Sequence, residues 1–293
     1  MNQDIVIPSF GPDIPLLRTL IASINKFVPN GLFDNLWLII TDDTDPAEFD
    51  FVRSVSMPVA VLHARDIFDP HRGHGQSGYI NQQIAKLMIA NRIASDWFWI
   101  FDSKNFIIKP LDEKVLYREG RARVSVDDPS HHWSDGWNSA LEYYGVPYTK
   151  AMLNLTPYPV HTASAKKFVN EFADFKTQFT SMYIHDNICE FYIYNAWIAK
   201  RGSFDALYQP DGLLRVTVWP TELDMPMFQP ENIRLLLENP RWDSPIWCGG
   251  LHKNAVRSMT AEQRDRWAAF LVWLGLFEDD VAVQAWYIDV LDK

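Results

Sequence analysis

The sequence predicts an α/β fold with a mostly parallel sheet flanked by helices, on the strength of three observations. Short apolar runs recur at residues 4–8, 36–42, 59–64 and 97–101. They are apolar on consecutive positions rather than alternating ones, as expected for strands buried on both faces. Segments with apolar residues at helical spacing alternate with them, which is the pattern of a doubly wound, Rossmann-like sheet.

The elements follow in order. The first strand, 4–8, is stopped by Pro8-Ser9-Phe10-Gly11-Pro12, which is turn chemistry. Asp13 then reads as an N-cap, with Pro15 in the first helical turn and Ile14, Leu17, Leu20, Ile21, Ile24 and Phe27 on the buried stripe of a helix reaching about Val28. Strands at 36–42 and 59–64 end at Asp42-Asp43 and near Asp66. A Gly- and His-containing loop at 70–78 leads into a helix at 79–94, on which Gln83 and Lys86 share one face. The strand at 97–101 runs straight into Asp102-Ser103-Lys104-Asn105, and a short strand at 106–110 follows. Beyond residue 120 the pattern is less regular. A strand is expected at 123–126, a polar and aromatic loop at 131–137, and helices at 163–179 and 186–200. A loop or short strand at 249–253 precedes a helix capped by Thr260, with Glu262 and Gln263 in its first turn.

Composition narrows the partners. The formal net charge is −10, which argues against nucleic acid, because neutralising phosphates needs basic patches. A phosphate-bearing small molecule needs only a few well-placed cations and stays open. The start, MNQDIVIPSFGPDI, has neither a basic segment nor a long apolar one. The expectation is therefore no signal peptide and a cytoplasmic location. No run reaches the ~18 apolar residues of a membrane span, and the apolar stretch 267–277 reads as a buried helix. Cys189 and Cys248 are the two cysteines and show no metal-binding spacing, so both are expected as buried free thiols. Twelve Trp residues suit either a large aromatic core or faces that stack on sugars or bases.

In an open parallel sheet, ligands bind outside the carboxyl ends of the strands. Those ends carry Pro8, Ser9 and Phe10, then Asp42 and Asp43, then Asp66, then Asp102, Ser103, Lys104 and Asn105. Four neighbouring strand ends would form one polar cleft. Phe10 is a candidate to stack on a base. Asp43 and Asp66 are either hydrogen-bond acceptors for a ligand or turn residues. His71, His74, His131 and His132 share no ligand spacing and read as loop residues, at best acceptor contacts.

The segments Gly78-Tyr-Ile-Asn-Gln-Gln-Ile-Ala-Lys86 and Trp97-Phe-Trp-Ile-Phe-Asp-Ser-Lys-Asn-Phe-Ile-Ile-Lys-Pro110 resemble the core of GT-A-type glycosyltransferases. More narrowly, they are similar to a bacterial group linked to capsule and O-antigen (lipopolysaccharide) synthesis. Further matches are Thr156-Pro-Tyr-Pro-Val160, the helix Glu190-Phe-Tyr-Ile-Tyr194 and the late Gly250-Leu-His252-Lys253. The resemblance spans about residues 4–255. It implies a nucleotide-sugar-binding half at 1–120, an acceptor-binding, catalytic half at 121–255 and a C-terminal helical extension at 256–293. The implied partners are a nucleotide-sugar donor and a saccharide or lipid-linked oligosaccharide acceptor, with no nucleic acid. Peripheral association with the inner face of the cytoplasmic membrane is compatible with this reading.

The strand-end placement, the chemistry of transfer and the resemblance together suggest residue roles. Donor binding falls to Pro8, Ser9, Phe10, Asp43, Asp66, Gln83, Lys86, Asp102, Ser103 and Lys104. Glu190 is the implied general base of an inverting transfer, with Asp186 as the alternative or as a helix N-cap. Lys104, Lys86 and Arg72 are candidates to neutralise the leaving phosphate. One departure matters: where the family pattern has Asp-x-Asp, this chain reads Asp102-Ser103-Lys104. Mn²⁺ or Mg²⁺ would want oxygen ligands there, and an ammonium repels them. Either Lys104 takes over the cation's work and transfer is metal-independent, the reading favoured here, or Asp102, Asn105 and His252 hold a metal with Lys104 turned away. Two other classes compete. A nucleotidyltransferase would open with a basic, Gly-rich loop, which Pro8-Ser9-Phe10-Gly11-Pro12 lacks. A non-catalytic nucleotide-sugar-binding protein is kept open by Lys104.

Overall fold

The computed structural model describes residues 1–72, 77–127, 134–147, 151–152, 154–212, 214–239 and 245–292. The strands are β1 (Gln3–Ser9), β2 (Leu36–Ile40), β3 (Val59–His63), β4 (Trp97–Ile100), β5 (Asn105–Ile107), β6 (Tyr117–Arg118), β7 (Arg121–Asp127), β8 (Ala151–Met152), β9 (Tyr158–His161), β10 (Tyr208–Asp211), β11 (Arg215–Val218) and β12 (Cys248–Leu251). The helices are α1 (Ile14–Phe27), α2 (Ser77–Met88), α3 (Glu113–Leu116), α4 (Ser134–Tyr144), α5 (Thr162–Asn170), α6 (Phe175–Asp186), α7 (Glu190–Lys200), α8 (Phe204–Leu207), α9 (Pro230–Glu238), α10 (Lys253–Ser258), α11 (Ala261–Trp273) and α12 (Asp280–Asp292).

The central sheet has the order β3-β2-β1-β4-β9. Its first four strands are mutually parallel, and β9 closes the far side antiparallel to β4. The fold is therefore mixed α/β with a mostly parallel sheet flanked by helices, as the apolar runs predict. β9 escapes the sequence pattern because Pro157 and Pro159 break it. Proline is tolerated there because β9 is the outermost strand of this sheet and need not donate on both sides.

A second, three-stranded sheet sets β5 antiparallel to β12 and β12 parallel to β11. It needs the glycine pair Gly249-Gly250. A Cβ on Gly249 would fall 2.6 Å from the Phe106 ring, and one on Gly250 would lie 3.1 Å from Thr217 Oγ1. A separate apolar core gathers Leu16, Phe106, Val216, Val218 and Leu251 with Trp267, Leu271, Trp286 and Tyr287. Trp286 Nε1 donates to the Pro15 carbonyl at 2.9 Å, pinning the last helix to the start of α1. No helix among the described residues is long and apolar enough to cross a membrane.

Several expectations need correction. Part of the loop expected at 131–137 is helical, because α4 starts at Ser134. Trp137 on it is buried and packs 5.8 Å from Tyr192. The helix expected at 163–179 is two. Asp174 restarts the chain as an N-cap, accepting from the Thr177 amide at 3.1 Å and its hydroxyl at 2.7 Å. The helix expected at 186–200 begins only at Glu190, because Asn187 at φ 56° ends α6 in the left-handed region. The Thr260 cap is present, reciprocated by Gln263. His74, His131 and His132 lie outside the described residues.

Candidate functional site

The strand ends do converge, but not all four of them. A cavity of about 420 Å³ opens where β1, β2 and β4 finish. Its wall includes Pro8 near the end of β1, Phe10 and Asp13 after it, Thr41 and Asp42 after β2, and Asp102, Ser103 and Lys104 after β4. α2 adds Tyr79, Gln82 and Lys86, the segment before β9 adds Asn154 and Thr156, and α7 adds Glu190 and Phe191. Trp219, His252 and Lys253 close the other side. That size suits a small-molecule site.

Local hydrogen bonding fixes each wall. The Asp102–Asn105 turn is closed by Asn105 Oδ1, which accepts the Asp102 amide at 2.8 Å. Asn105 Nδ2 donates to the Thr156 carbonyl at 3.3 Å, tying this turn to the segment before β9. The Ser103 hydroxyl donates to Ser9 Oγ at 2.9 Å, so both serines are spent joining β1 to β4 beneath the cavity. Asp42 Oδ2 accepts the Gly11 amide at 3.1 Å and the Thr44 hydroxyl at 2.8 Å, holding the loop after β1. The second sheet delivers the last wall: the Leu251 amide donates to the Lys104 carbonyl, and the His252 amide to the Val218 carbonyl, both at 3.0 Å.

The floor is a chain of alternating charges. Lys86 Nζ lies 3.0 Å from Asp102 Oδ1 and 3.0 Å from Glu190 Oε1. Lys104 Nζ donates to Asp102 Oδ2. Burial alone would strip the charge from Lys86, but Asp102 and Glu190 outweigh it and hold the ammonium well above the ordinary lysine range. Burial likewise opposes the charge on Asp102, and Lys104 and Lys86 overcome it, keeping the carboxyl well below the ordinary range. The Glu190 amide, an N-terminal helix donor with no partner inside its own helix, is taken by Gln83 Oε1 at 3.2 Å.

The opposite wall is looser. Lys253 Nζ stands 3.8 Å from Asp13 Oδ1 and 5.0 Å from the Phe10 ring centroid. Lys104 Nζ lies 5.6 Å from the Trp219 ring, on which His252 stacks at 4.3 Å. Burial, with Lys104 and Lys253 beside it, lowers His252 to about 4, so it is neutral near pH 7. Burial pushes Asp13 up to about 6, against the pull of Lys253 and Lys104 and with help from Asp102.

Of the residues read from the sequence, the cavity wall brings together Pro8, Phe10, Lys86, Asp102, Ser103, Lys104, Glu190 and His252. Ser9 and Gln83 sit behind that wall as supports. Asp43 and Asp66 are elsewhere. Asp43 is fully exposed, 3.9 Å from Arg65. The Asp66 carboxylate is used locally, accepting the His63 amide at 2.8 Å. The reason is strand order: β3 is the outermost strand, two positions from β1 and so about 10 Å away. Asp42, not Asp43, faces the cavity. Asp186 ends α6, is exposed, and lies on a different helix from Glu190. Arg72 is also exposed and outside the wall. Asp13 occupies the N-cap position of α1, yet its side chain makes no capping bond there. Sequence reasoning gave Lys253 and Trp219 no role in the site. Lys253 was within reach through Gly250-Leu-His252-Lys253, but nothing marked Trp219, because β11 before it was not foreseen.

The donor set does not fit a divalent ion held by Asp102 and His252. Each Asp102 oxygen already faces an ammonium. His252 Nδ1 accepts the Asn254 amide at 3.2 Å, so the neutral ring carries its proton on Nε2 and has no lone pair left to offer. Among the described residues no group of three or more His, Cys, Asp or Glu side chains converges as a ligand set. Cys189 and Cys248 are both buried free thiols, and burial raises both above the ordinary thiol range.

No curated protein matches the chain. Among solved structures, mouse xyloside xylosyltransferase 1 in its apo form is similar at a TM-score of 0.47 and 8% identity, over 85% of this chain and 97% of that one. A family model described as "Family of unknown function (DUF6492)" matches residues 4–224, the stretch that carries the central sheet and most of the cavity wall. The chain belongs to the DUF6492 family.

Proposed function

We propose that the chain is a glycosyltransferase of GT-A type that moves a sugar from a nucleotide-sugar donor to a saccharide acceptor, with inversion, in bacterial surface polysaccharide synthesis. The observation that carries the reading is the cavity at the ends of β1, β2 and β4, which combines ammonium groups, aromatic faces and hydroxyl-binding groups in one wall. Lys104 and Lys253 stabilise the charge that develops on the leaving phosphate. Phe10 stacks on the base. Thr156 Oγ1, buried without a hydrogen-bond partner among the described residues, and the Gln82 and Asn154 side chains meet sugar hydroxyls. Glu190 takes the proton of the acceptor hydroxyl, and Lys86 positions both Glu190 and Asp102. Transfer proceeds without a divalent ion, because Lys86 and Lys104 already supply the positive charge at Asp102. The acceptor arm, the inversion and the bacterial setting rest on the sequence resemblance alone.

The test is release of labelled sugar from nucleotide-sugars in the absence of acceptor, water standing in for the hydroxyl. The native protein releases sugar from one donor. Glu190→Gln keeps donor affinity and slows release by roughly a hundredfold or more, the loss expected of a general base. An unchanged rate in Glu190→Gln removes Glu190 from that role. Donor binding with no release of sugar, either to water or to added saccharide acceptors, would mark a binding protein and not a transferase.

A further inference from the structure

The carboxylates facing the cavity differ in what they have left to offer. Both Asp102 oxygens are taken by ammonium groups, Glu190 Oε1 by Lys86, and Asp42 by Gly11 and Thr44. Among the described residues, the ion pair of Asp13 is with Lys253, at a loose 3.8 Å. The cavity wall also holds four carboxylates (Asp13, Asp42, Asp102, Glu190) against three ammonium groups (Lys86, Lys104, Lys253). A sugar diphosphate adds about two more negative charges, and without a divalent ion they must be offset by the protein.

We propose that donor binding carries a proton onto Asp13, so that Lys253 passes from Asp13 to the phosphates of the ligand. This rests on the nucleotide-sugar reading of the cavity. The charged groups facing Asp13 are Lys253 from α10 and Lys104 and Asp102 from the turn after β4. The neighbouring His252 is neutral, and Asp42 is held by its own loop. A phosphate brought beside Lys253 is a like charge for Asp13 and favours its protonated form. Burial has already raised Asp13 to about 6, so the change lies close at hand near neutral pH. The proton comes from solvent, and no bond of the ligand is altered. Affinity rises as pH falls from 8 to 6, and levels off once Asp13 is protonated in the free protein as well.

The experiment is titration calorimetry at pH 7 in buffers of different ionisation heat, using UDP-, GDP-, dTDP- and CMP-sugars. Their phosphodiesters do not titrate near neutrality, so any proton taken up belongs to the protein. For the donor that binds, the expected uptake is roughly 0.3–0.5 proton per ligand. The expected gain in affinity between pH 8 and 6 is about threefold to tenfold. In Asp13→Asn both effects vanish, and the variant binds at pH 8 as tightly as the native protein does at pH 6. Binding without proton uptake, or uptake that persists in Asp13→Asn, overturns the proposal and leaves the donor site standing. If none of the donors binds, the donor reading fails and the proposal fails with it.

Discussion

The two ends of the cavity hold similar chemistry in opposite states. At one end Lys86, Glu190 and Asp102 sit with side-chain exposures of 7%, 3% and 21% and ion-pair distances of 3.0 Å. At the other, Lys253 and Asp13 are 25% and 20% exposed and 3.8 Å apart. At the buried end Lys86 and both Asp102 oxygens are committed to tight pairs and place groups rather than exchange partners, while Glu190 gives Lys86 only Oε1. The open end keeps a cation and a carboxylate loosely paired, and each can be claimed by a ligand. A site that binds an anion needs both: a rigid floor to aim at and a wall that can change partners.

The comparison breaks most visibly at Lys86. Lys86→Met leaves Glu190 buried without its cation and Asp102 with one of two. The expected loss is on the order of 3–5 kcal/mol of unfolding free energy, read from denaturant titration. The equivalent change at the open end, Lys253→Met, is expected to cost less, because the pair is longer, at 3.8 Å, and Asp13, already raised to about 6, can take a proton when its cation is removed. Equal losses at the two ends would end the distinction.

A smaller effect follows from Asp13. Its folded value of about 6 is raised from 3.8, so the folded state binds more protons than the unfolded state between those two values. Stability therefore falls as pH rises through that window, and above pH 6 the ionised carboxylate costs at most about 3 kcal/mol. Asp13→Asn should stabilise the protein at pH 8 and change little at pH 4, measured as the difference in unfolding free energy. A stabilisation that is the same at both values would point to something other than ionisation. The smallest effect is expected at Asp43. Its carboxylate is fully exposed and away from the cavity, so Asp43→Ala should stay within about 0.5 kcal/mol and leave donor affinity unchanged.

What the sequence revealed depended on how local the cause was. The runs at 36–42 and 97–101 are apolar because both faces of β2 and β4 are covered, and that is visible residue by residue. The sheet order is not. Nothing in 59–66 says that β3 lies at the edge, so Asp66 looked equivalent to Asp102 although it is two strands away from β1. Lys86, Asp102 and Glu190 were each recognised, but their pairing joins residues 104 positions apart, a tertiary fact. Asp13 reads as a helix cap because Asp before an apolar stripe usually is one, and it does stand at the N-cap of α1, but its side chain makes no capping bond. Here Lys253, delivered by β12 and α10, competes for the same carboxylate. Gly136 and the polar residues before it hid α4, and Pro157 and Pro159 hid β9, since each breaks the local pattern that packing then overrides.

The proposed site takes a nucleotide-sugar through lysines rather than through a metal. Thermal unfolding with UDP-, GDP-, dTDP- and CMP-sugars, each with and without EDTA, and repeated on Lys104→Met, tests it most directly. One donor is expected to raise the melting temperature equally in both conditions, and Lys104→Met is expected to lose the shift. No shift with any donor, or a shift that appears only when manganese or magnesium is supplied, would contradict it.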